Sequence, residues 1–344
     1  MNDATRELRP RPRMPAGTAA WLAARGFAVR SRRPLAGDVG ARRYWRLALA
    51  GGGSAVLAAY PPAERPACRR FLATGELLAG AGVRVPAVLA CDCDRGLAVV
   101  EDLGPATVYD LRRRPWPDVA PYFEAAARAA RRIATLPHGA VAALSPPLDA
   151  GLLGRELART REAFLAPRGL AAGEFGARLA AALEALCAAL GAAPPVPCHR
   201  DLMVRNLVPL GAAEVGVLDH QDLRLGPPLY DLASLLNDSL FPPAAAGEAL
   251  LAEHAPDPAS RLAYHRAAAQ RTLKAVGTYA AFARRGRRRH LPLIPPTLAR
   301  ALVHLAAAPE TAAVAPEAAR RWRRVTGRAG AAGAGGPPAG DLLD

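Results

Sequence analysis

Apolar and polar positions divide the chain into a short strand-rich stretch and a long helical one. Residues 18–25 have the pattern of a short helix. Residues 43–49 and 55–60 read as two strands joined by Gly51-Gly52-Gly53, which tolerate the positive φ of a hairpin turn. Residues 64–78 read as a helix ended by Gly80 and Gly82, residues 85–91 and 97–101 as a second strand pair, and Asp102-Leu103-Gly104-Pro105 breaks the pattern. Beyond it, period and composition predict helices over 117–134, 152–164 and 173–190, the last stopped by Pro194, Pro195 and Pro197. Strands over 207–210 and 215–219 turn at Gly211, and helices over 229–240, 260–283, 296–308 and 316–325 complete the pattern. The expected class is α+β in two lobes. A loose arm (1–16) leads into a small antiparallel-sheet N-lobe (17–103), then a mainly helical C-lobe (104–326) and a disordered Gly-, Ala- and Pro-rich tail (327–344).

At 344 residues and 51% hydrophobic content the chain can bury a sizeable core. A formal charge of +15 would suit a polyanion, but Lys274 is the only lysine while Ala, Arg, Gly and Pro are over-used, a skew that reads as codon bias in a GC-rich genome. The densest basic run, over residues 284–290, follows a helical stretch and reads as its solvated end, with cations at the negative pole. Nucleic acid is therefore not an expected partner. Cys68, Cys91, Cys93, Cys187 and Cys198 are odd in number and lack paired C-x-x-C spacing, so they read as reduced thiols. Cys91 and Cys93 fall at a strand end rather than in a metal site, and Cys198 points away from its neighbour His199 on an extended chain. No run approaches the ~18 apolar residues of a membrane span, so a cytoplasmic protein with no membrane partner is expected, a monomer being the favoured state.

The chemistry is concentrated in His199-Arg200-Asp201-Leu202-Met203-Val204-Arg205-Asn206, which has the H-R-D-L-x-x-x-N form of a phosphoryl-transfer catalytic loop. In such transfer the protein does little covalent work. It must place a carboxylate against the acceptor hydroxyl and hold magnesium on the triphosphate. Asp201 has the place of the base. Asn206, and Asp219 at the end of the apolar strand Val217-Leu218-Asp219, are oxygen donors of the kind that hard Mg²⁺ prefers, the metal keeping some water and binding phosphate oxygens as well. His199 is expected to brace the loop, and Arg205 is grouped with the catalytic set. Gln221, Asp222, Tyr230 and Asp231 follow as substrate-binding or bracing residues. The order strand, loop, strand puts Asp201 and Asp219 on adjacent loops facing one cleft, the arrangement of a protein-kinase-like fold.

At the phosphate end, Gly37 and Gly40 in Gly37-Asp38-Val39-Gly40-Ala41-Arg42-Arg43-Tyr44 precede the first strand, where a kinase-like lobe turns over the nucleotide phosphates. Their spacing is not G-x-G-x-x-G, and no P-loop is present. The lysine that protein kinases place on the third strand is missing from Ala55-Val56-Leu57-Ala58-Ala59-Tyr60, and Lys274 falls far away on a C-terminal helix. Arg42, Arg43, Arg46 and Arg69 are the candidates to neutralise phosphate in its place, since guanidinium matches phosphate oxygens bidentately.

Over roughly residues 35–285 the chain resembles the aminoglycoside and choline phosphotransferase superfamily. Within it, the chain is most similar to the anomeric kinases of N-acetylmuramate and N-acetylglucosamine in peptidoglycan recycling. The superfamily resemblance rests on His199-Arg200-Asp201 with Arg205-Asn206-Leu207, on Val217-Leu218-Asp219 with Gln221-Asp222, and on Gly226-Pro227 with Tyr230-Asp231-Leu232. The narrower one rests on Arg42-Arg43-Tyr44, on Tyr60-Pro61-Pro62 closing a strand without lysine, on Leu77-Leu78-Ala79-Gly80-Ala81-Gly82-Val83 with Val85-Pro86, and on Glu101-Asp102-Leu103-Gly104. It implies MgATP-dependent transfer to the C1 hydroxyl of an N-acetylated amino sugar. Asp201 would be the base, Asn206 and Asp219 would hold metal, and the backbone from Glu101 to Leu103 would meet adenine. The chain departs from the pattern at His220, where an aromatic such as Phe is usual, and at Leu202-Met203-Val204, where Tyr and Pro are common. Another acceptor (an aminoglycoside, an amino alcohol or a different sugar) and a binding-only pseudokinase are the alternatives.

Overall fold

The structure is a computed structural model that describes residues 13–35 and 41–326. Gly37, Gly40, most of the expected arm and the expected tail lie outside the described residues. Five strands form one antiparallel sheet: β1 (Val29–Leu35), β2 (Arg43–Leu49), β3 (Ser54–Ala59), β4 (Val88–Asp92) and β5 (Leu97–Glu101), in the order β1-β2-β3-β5-β4. Alternation gives each face its own cover. Trp45, Leu47, Ala55, Leu57, Ala59, Leu97 and Val99 bury against Trp21 and Leu22 of α1 (Thr18–Ala23). On the other face Ala58 and Ala98 join Tyr60 and Cys68, the latter in α2 (Arg65–Gly80). The β2–β3 hairpin turns through Gly52 and Gly53, with φ of 93° and 75°. Strand β1 was not expected, because Arg30, Arg32, Arg33 and Pro34 hide its pattern. It is an edge strand paired with β2 and exposed along most of its length, where charge and proline are tolerated.

The second lobe comprises α3 (Trp116–Ala134), α4 (His138–Ala142), α5 (Ala150–Thr160), α6 (Gly173–Ala192), α7 (Tyr230–Leu236), α8 (Ala244–His254), α9 (Pro258–Arg284), α10 (Ile294–Ala307), α11 (Pro309–Ala312) and α12 (Ala315–Thr326). Among them run four short strands, β6 (Val196–Cys198) paired with β9 (Arg224–Gly226) and β7 (Leu207–Leu210) paired with β8 (Glu214–Val217). Helix α9 is the central element, packed on α5, α6, α7 and α10. Helix α7 stops at Leu236, short of the expected end. There Asn237 Nδ2 donates to the Ala233 carbonyl (3.1 Å) and to the Tyr264 hydroxyl (2.9 Å), a buried polar knot that turns the chain out of the helix. Contrary to expectation, α6 is long and apolar enough to cross a membrane by length and composition, a consequence of its alanine and leucine content. In this fold it packs against α5, α9 and α11 and buries Phe175, Leu179, Leu186, Cys187 and Leu190.

Candidate active site

The catalytic loop leaves β6 at Cys198 and re-enters the fold at β7. Its shape is imposed by Asp231 at the start of α7, whose two carboxylate oxygens accept the backbone N–H of His199 (2.7 Å) and of Arg200 (2.8 Å). Arg200 needs that clamp, because its φ of 76° is costly for a non-glycine residue. The Arg200 side chain runs to Asp222 (3.0 Å) and Glu156 (2.5 Å). Tyr230 is fully buried and donates to Gln270 (2.7 Å), whose amide in turn donates to Glu156 (3.1 Å).

A second tie joins this loop to the expected metal loop. Leu218 N donates to the Asn206 carbonyl (2.8 Å), and the Leu218 carbonyl meets His199 Nε2 at 2.9 Å. Asp219, the next residue, is thereby held beside Asn206. Asp219 has φ 60°, and its Oδ1 accepts from Gln221 Nε2 (2.9 Å) and faces Arg42 Nη2 at 3.1 Å. Asn206 Nδ2 donates to the Asp201 carbonyl (2.9 Å), which fixes the amide's orientation. The other expected site residues divide. Arg42 enters the cleft, but Arg43 is exposed at the start of β2, Arg46 binds Asp102 and the Gly104 carbonyl at the lobe connection, and Arg69 pairs with Asp94 outside it. Arg205 stacks over the Tyr109 ring at 3.5 Å. The Glu101 N–H is taken by the Ala87 carbonyl (2.8 Å), and Leu103 lies on β8 where Gly216 leaves room that any Cβ would fill.

Lys274 corrects the sequence reading. Far from being remote, its Nζ lies 3.2 Å from Asp201 Oδ1 and 3.3 Å from Glu156 Oε1. Arg271, one turn earlier on α9, approaches the same Asp201 oxygen at 3.4 Å and Asp238 at 3.5 Å. Burial works to raise the Asp201 pKa, but Lys274, Arg271 and Arg200 outweigh it and hold the carboxyl well below the usual range. Glu156, Arg271 and Lys274 were all missed from the sequence. For Lys274 and Arg271 the signal was a sole lysine in an arginine-rich chain, spaced three residues from Arg271 in a helix otherwise rich in alanine.

His220 joins the lobes. Its ring stacks on Phe71 of α2 (centroids 4.4 Å apart), and its Nδ1 is 2.8 Å from the Thr74 hydroxyl. That hydroxyl also bonds the Arg70 carbonyl, which can only accept, so its proton goes there and His220 Nδ1 is the donor. His220 Nε2 has no partner among the described residues, so a protonated ring would bury an unpaired N–H. Burial, with a smaller contribution from His199, pulls the His220 pKa down to about 3, and burial likewise brings His304 to about 3. Both rings stay neutral in the folded protein while the unfolded chain protonates below about 6.5. Stability is therefore intact above that value and lost as pH falls beneath it, by up to about 1.4 kcal/mol per pH unit for each ring. Urea unfolding between about pH 7 and about pH 5 should show the loss, and His220→Phe, which keeps the stack, should make it shallower. An unchanged slope would show that His220 titrates normally.

The chain matches the phosphotransferase enzyme family over residues 31–264. It is 34% identical over 280 residues to an N-acetylmuramate/N-acetylglucosamine kinase of Pseudomonas putida, covering 75% of this chain and 78% of that one. To a kinase of the same name from Caulobacter vibrioides it is 31% identical over 325 residues, 81% of this chain and 89% of that one. A gentamicin-bound aminoglycoside phosphotransferase shares the fold with a TM-score of 0.59 at 14% identity, over 85% of this chain and 97% of that one. The GDP complex of an aminoglycoside 2'-phosphotransferase variant gives 0.61 at 15%, over 82% and 96%. A two-lobed α+β fold, a clamped H-R-D loop and kinship along most of its length converge: the chain is a small-molecule kinase and belongs to the phosphotransferase enzyme family.

Proposed function

We propose that the chain transfers the γ-phosphoryl group of MgATP to the anomeric hydroxyl of N-acetylmuramate or N-acetylglucosamine, in the cytoplasmic recycling of cell-wall sugars. The observation that carries the reading is the pairing of Asp201 and Asp219 on two loops tied through Leu218, in a chain whose relatives are named as kinases of those two sugars. Asp201 orients the acceptor hydroxyl and takes its proton as the new P–O bond forms. Asp231 and His199 hold the loop, Gln221 steadies Asp219, and Arg42 lies where a triphosphate would need a cation. The backbone from Glu101 to Leu103 is the adenine contact. Acceptor charge also fits. A polycationic aminoglycoside would meet Lys274 and Arg271 beside the base, whereas a neutral or anionic sugar would not be repelled.

The donor set suits magnesium. Among the described residues no group of three or more His, Cys, Asp or Glu could hold a metal, while Asn206 and Asp219 supply the one or two hard oxygens that Mg²⁺ takes from protein when phosphates and water complete its shell. Asp219 already faces a cation, Arg42, and its side chain is 42% exposed to the cleft. Bound there, the ion would neutralise charge on the phosphates.

Release of ADP from purified protein, MgATP and a panel of N-acetylmuramate, N-acetylglucosamine, glucose, choline and kanamycin tests the reading. Turnover confined to the N-acetyl sugars is expected, and turnover only on another acceptor overturns the substrate. Asp219→Ala is expected to raise the Mg²⁺ concentration for half-maximal activity at least ~10-fold. A parental magnesium titration would make that carboxylate structural.

A further inference from the structure

The kinase reading leaves open what cation serves the γ-phosphoryl group at the acceptor end of the cleft. Charge on its three equatorial oxygens must be met there during transfer. Of the first-lobe arginines that were candidates for phosphate, Arg42 pairs with Asp219 and Glu64, Arg46 with Asp102 and Arg69 with Asp94, while Arg43 is exposed at the start of β2. In the catalytic loop Arg200 turns to Glu156 and Asp222, Arg205 stacks on Tyr109, and the residue two past the base is the uncharged Met203. Among the described residues two cations reach the Asp201 carboxylate, both from α9. Arg271 is immobilised, with only 5% of its side chain exposed and with Ser234 Oγ (3.1 Å), Met203 Sδ (3.6 Å) and Asp238 (3.5 Å) around it. Lys274 is different. Its side chain retains 13% exposure, its ammonium sits 3.2 Å from a carboxylate that is itself 28% exposed to the cleft, and a four-carbon stem carries three rotatable donors.

Resting on that reading of Asp201 as the base, we propose that Lys274 is a catalytic residue, whose ammonium contacts the phosphoryl group as it passes from ATP to the acceptor. In the step, the acceptor oxygen forms a bond to the γ-phosphorus as the bond to the β,γ-bridging oxygen breaks. ADP leaves with that electron pair, and the hydroxyl proton goes to Asp201. Lys274 exchanges no proton. It stays an ammonium, poised by Asp201 and Glu156 on one side and able to swing a donor to the phosphoryl oxygens on the other. Helix α9 thus supplies, from the opposite lobe, charge that the strand without lysine does not.

The test compares the parent enzyme with Lys274→Ala on N-acetylglucosamine, which is neutral, and N-acetylmuramate, which carries a carboxylate. Parental turnover on either sugar is the control for the underlying reading. A silent parent overturns both together. Given an active parent, the expected result is a fall in kcat of ~10²–10³-fold on both sugars, with the KM for ATP within ~3-fold. Added methylammonium or ethylammonium should restore at least ~10-fold of the loss with saturation, which a purely structural lysine would not show. A loss confined to N-acetylmuramate overturns the proposal by assigning Lys274 to the acceptor carboxylate, and so does a loss without amine rescue. If the alanine variant does not unfold cooperatively, Lys274→Met keeps the stem and decides the matter. A ~100-fold fall in kcat at unchanged nucleotide KM supports the role, and turnover within ~5-fold of the parent overturns it.

Discussion

Replacing Asp201 by asparagine is expected to lower turnover by ~10²–10⁴-fold while nucleotide affinity stays within a few-fold of the parent. The split follows from where the side chain points. Asp201 Oδ1 is occupied by Lys274 and Arg271, at 3.2 and 3.4 Å, both from α9. Asparagine keeps an oxygen for those two cations, and each cation retains a second partner, Glu156 for Lys274 and Asp238 for Arg271. The site should therefore hold its shape and lose only the group that receives the hydroxyl proton. ADP release at saturating MgATP, beside a nucleotide titration followed by thermal shift, measures both quantities. Turnover at the parental rate would remove Asp201 from the chemistry. A parallel loss of nucleotide binding would instead mean that the carboxylate organises the cleft.

The motif around Asp201 was legible because its parts lie close along the chain. Asp201, Asn206, Asp219 and Asp231 fall within the 32-residue separation of His199 from its Asp231 partner, on the loops that follow β6 and β8 and at the start of α7. The far wall of the site was not legible. Glu156 comes from α5 and Lys274 from α9, 73 residues beyond the base, and Lys274 meets both Glu156 and Asp201 because α5 and α9 pack together. Helical period says which residues share a face. It does not say what that face will meet. The same limit hid β1, whose arginines and proline erase alternation and whose strand form depends on pairing with β2. For α7, the reading overran because the knot of Asn237, Tyr264 and Arg300 that ends it is tertiary.

The two loops and α9 form one structural argument about charge. A phosphotransferase needs cations at both ends of the group in flight, and protein kinases draw one from a strand that here is Ala55 to Tyr60. This chain has Arg42, in the segment entering β2, against Asp219, and Lys274, in the core of the helical lobe, against Asp201. His220 ties the first lobe to the loop that carries Asp219. Its stack on Phe71 and bond to Thr74 tie α2 to the residue next to Asp219.

Asp231→Ala should produce the largest combined effect on stability and rate. Its carboxylate is buried and accepts two backbone N–H groups, those of His199 and Arg200. Alanine leaves both donors unpaired in the interior, at about 1–3 kcal/mol each. Part of that cost is offset, because burial of the carboxyl is itself unfavourable and raises its pKa above the ordinary value. A net loss of about 2–4 kcal/mol in urea unfolding is the expected outcome. The rate should suffer separately. Without the clamp nothing compels Arg200 to keep a φ of 76°, and relaxation of that residue shifts the adjoining Asp201. A displacement of about 1 Å can cost ~10²-fold. Assays well below the variant's melting midpoint separate the two effects. A destabilised variant with parental kcat would show that Asp231 supports the fold alone, whereas a ~100-fold fall in kcat with the protein still folded places it in control of the base.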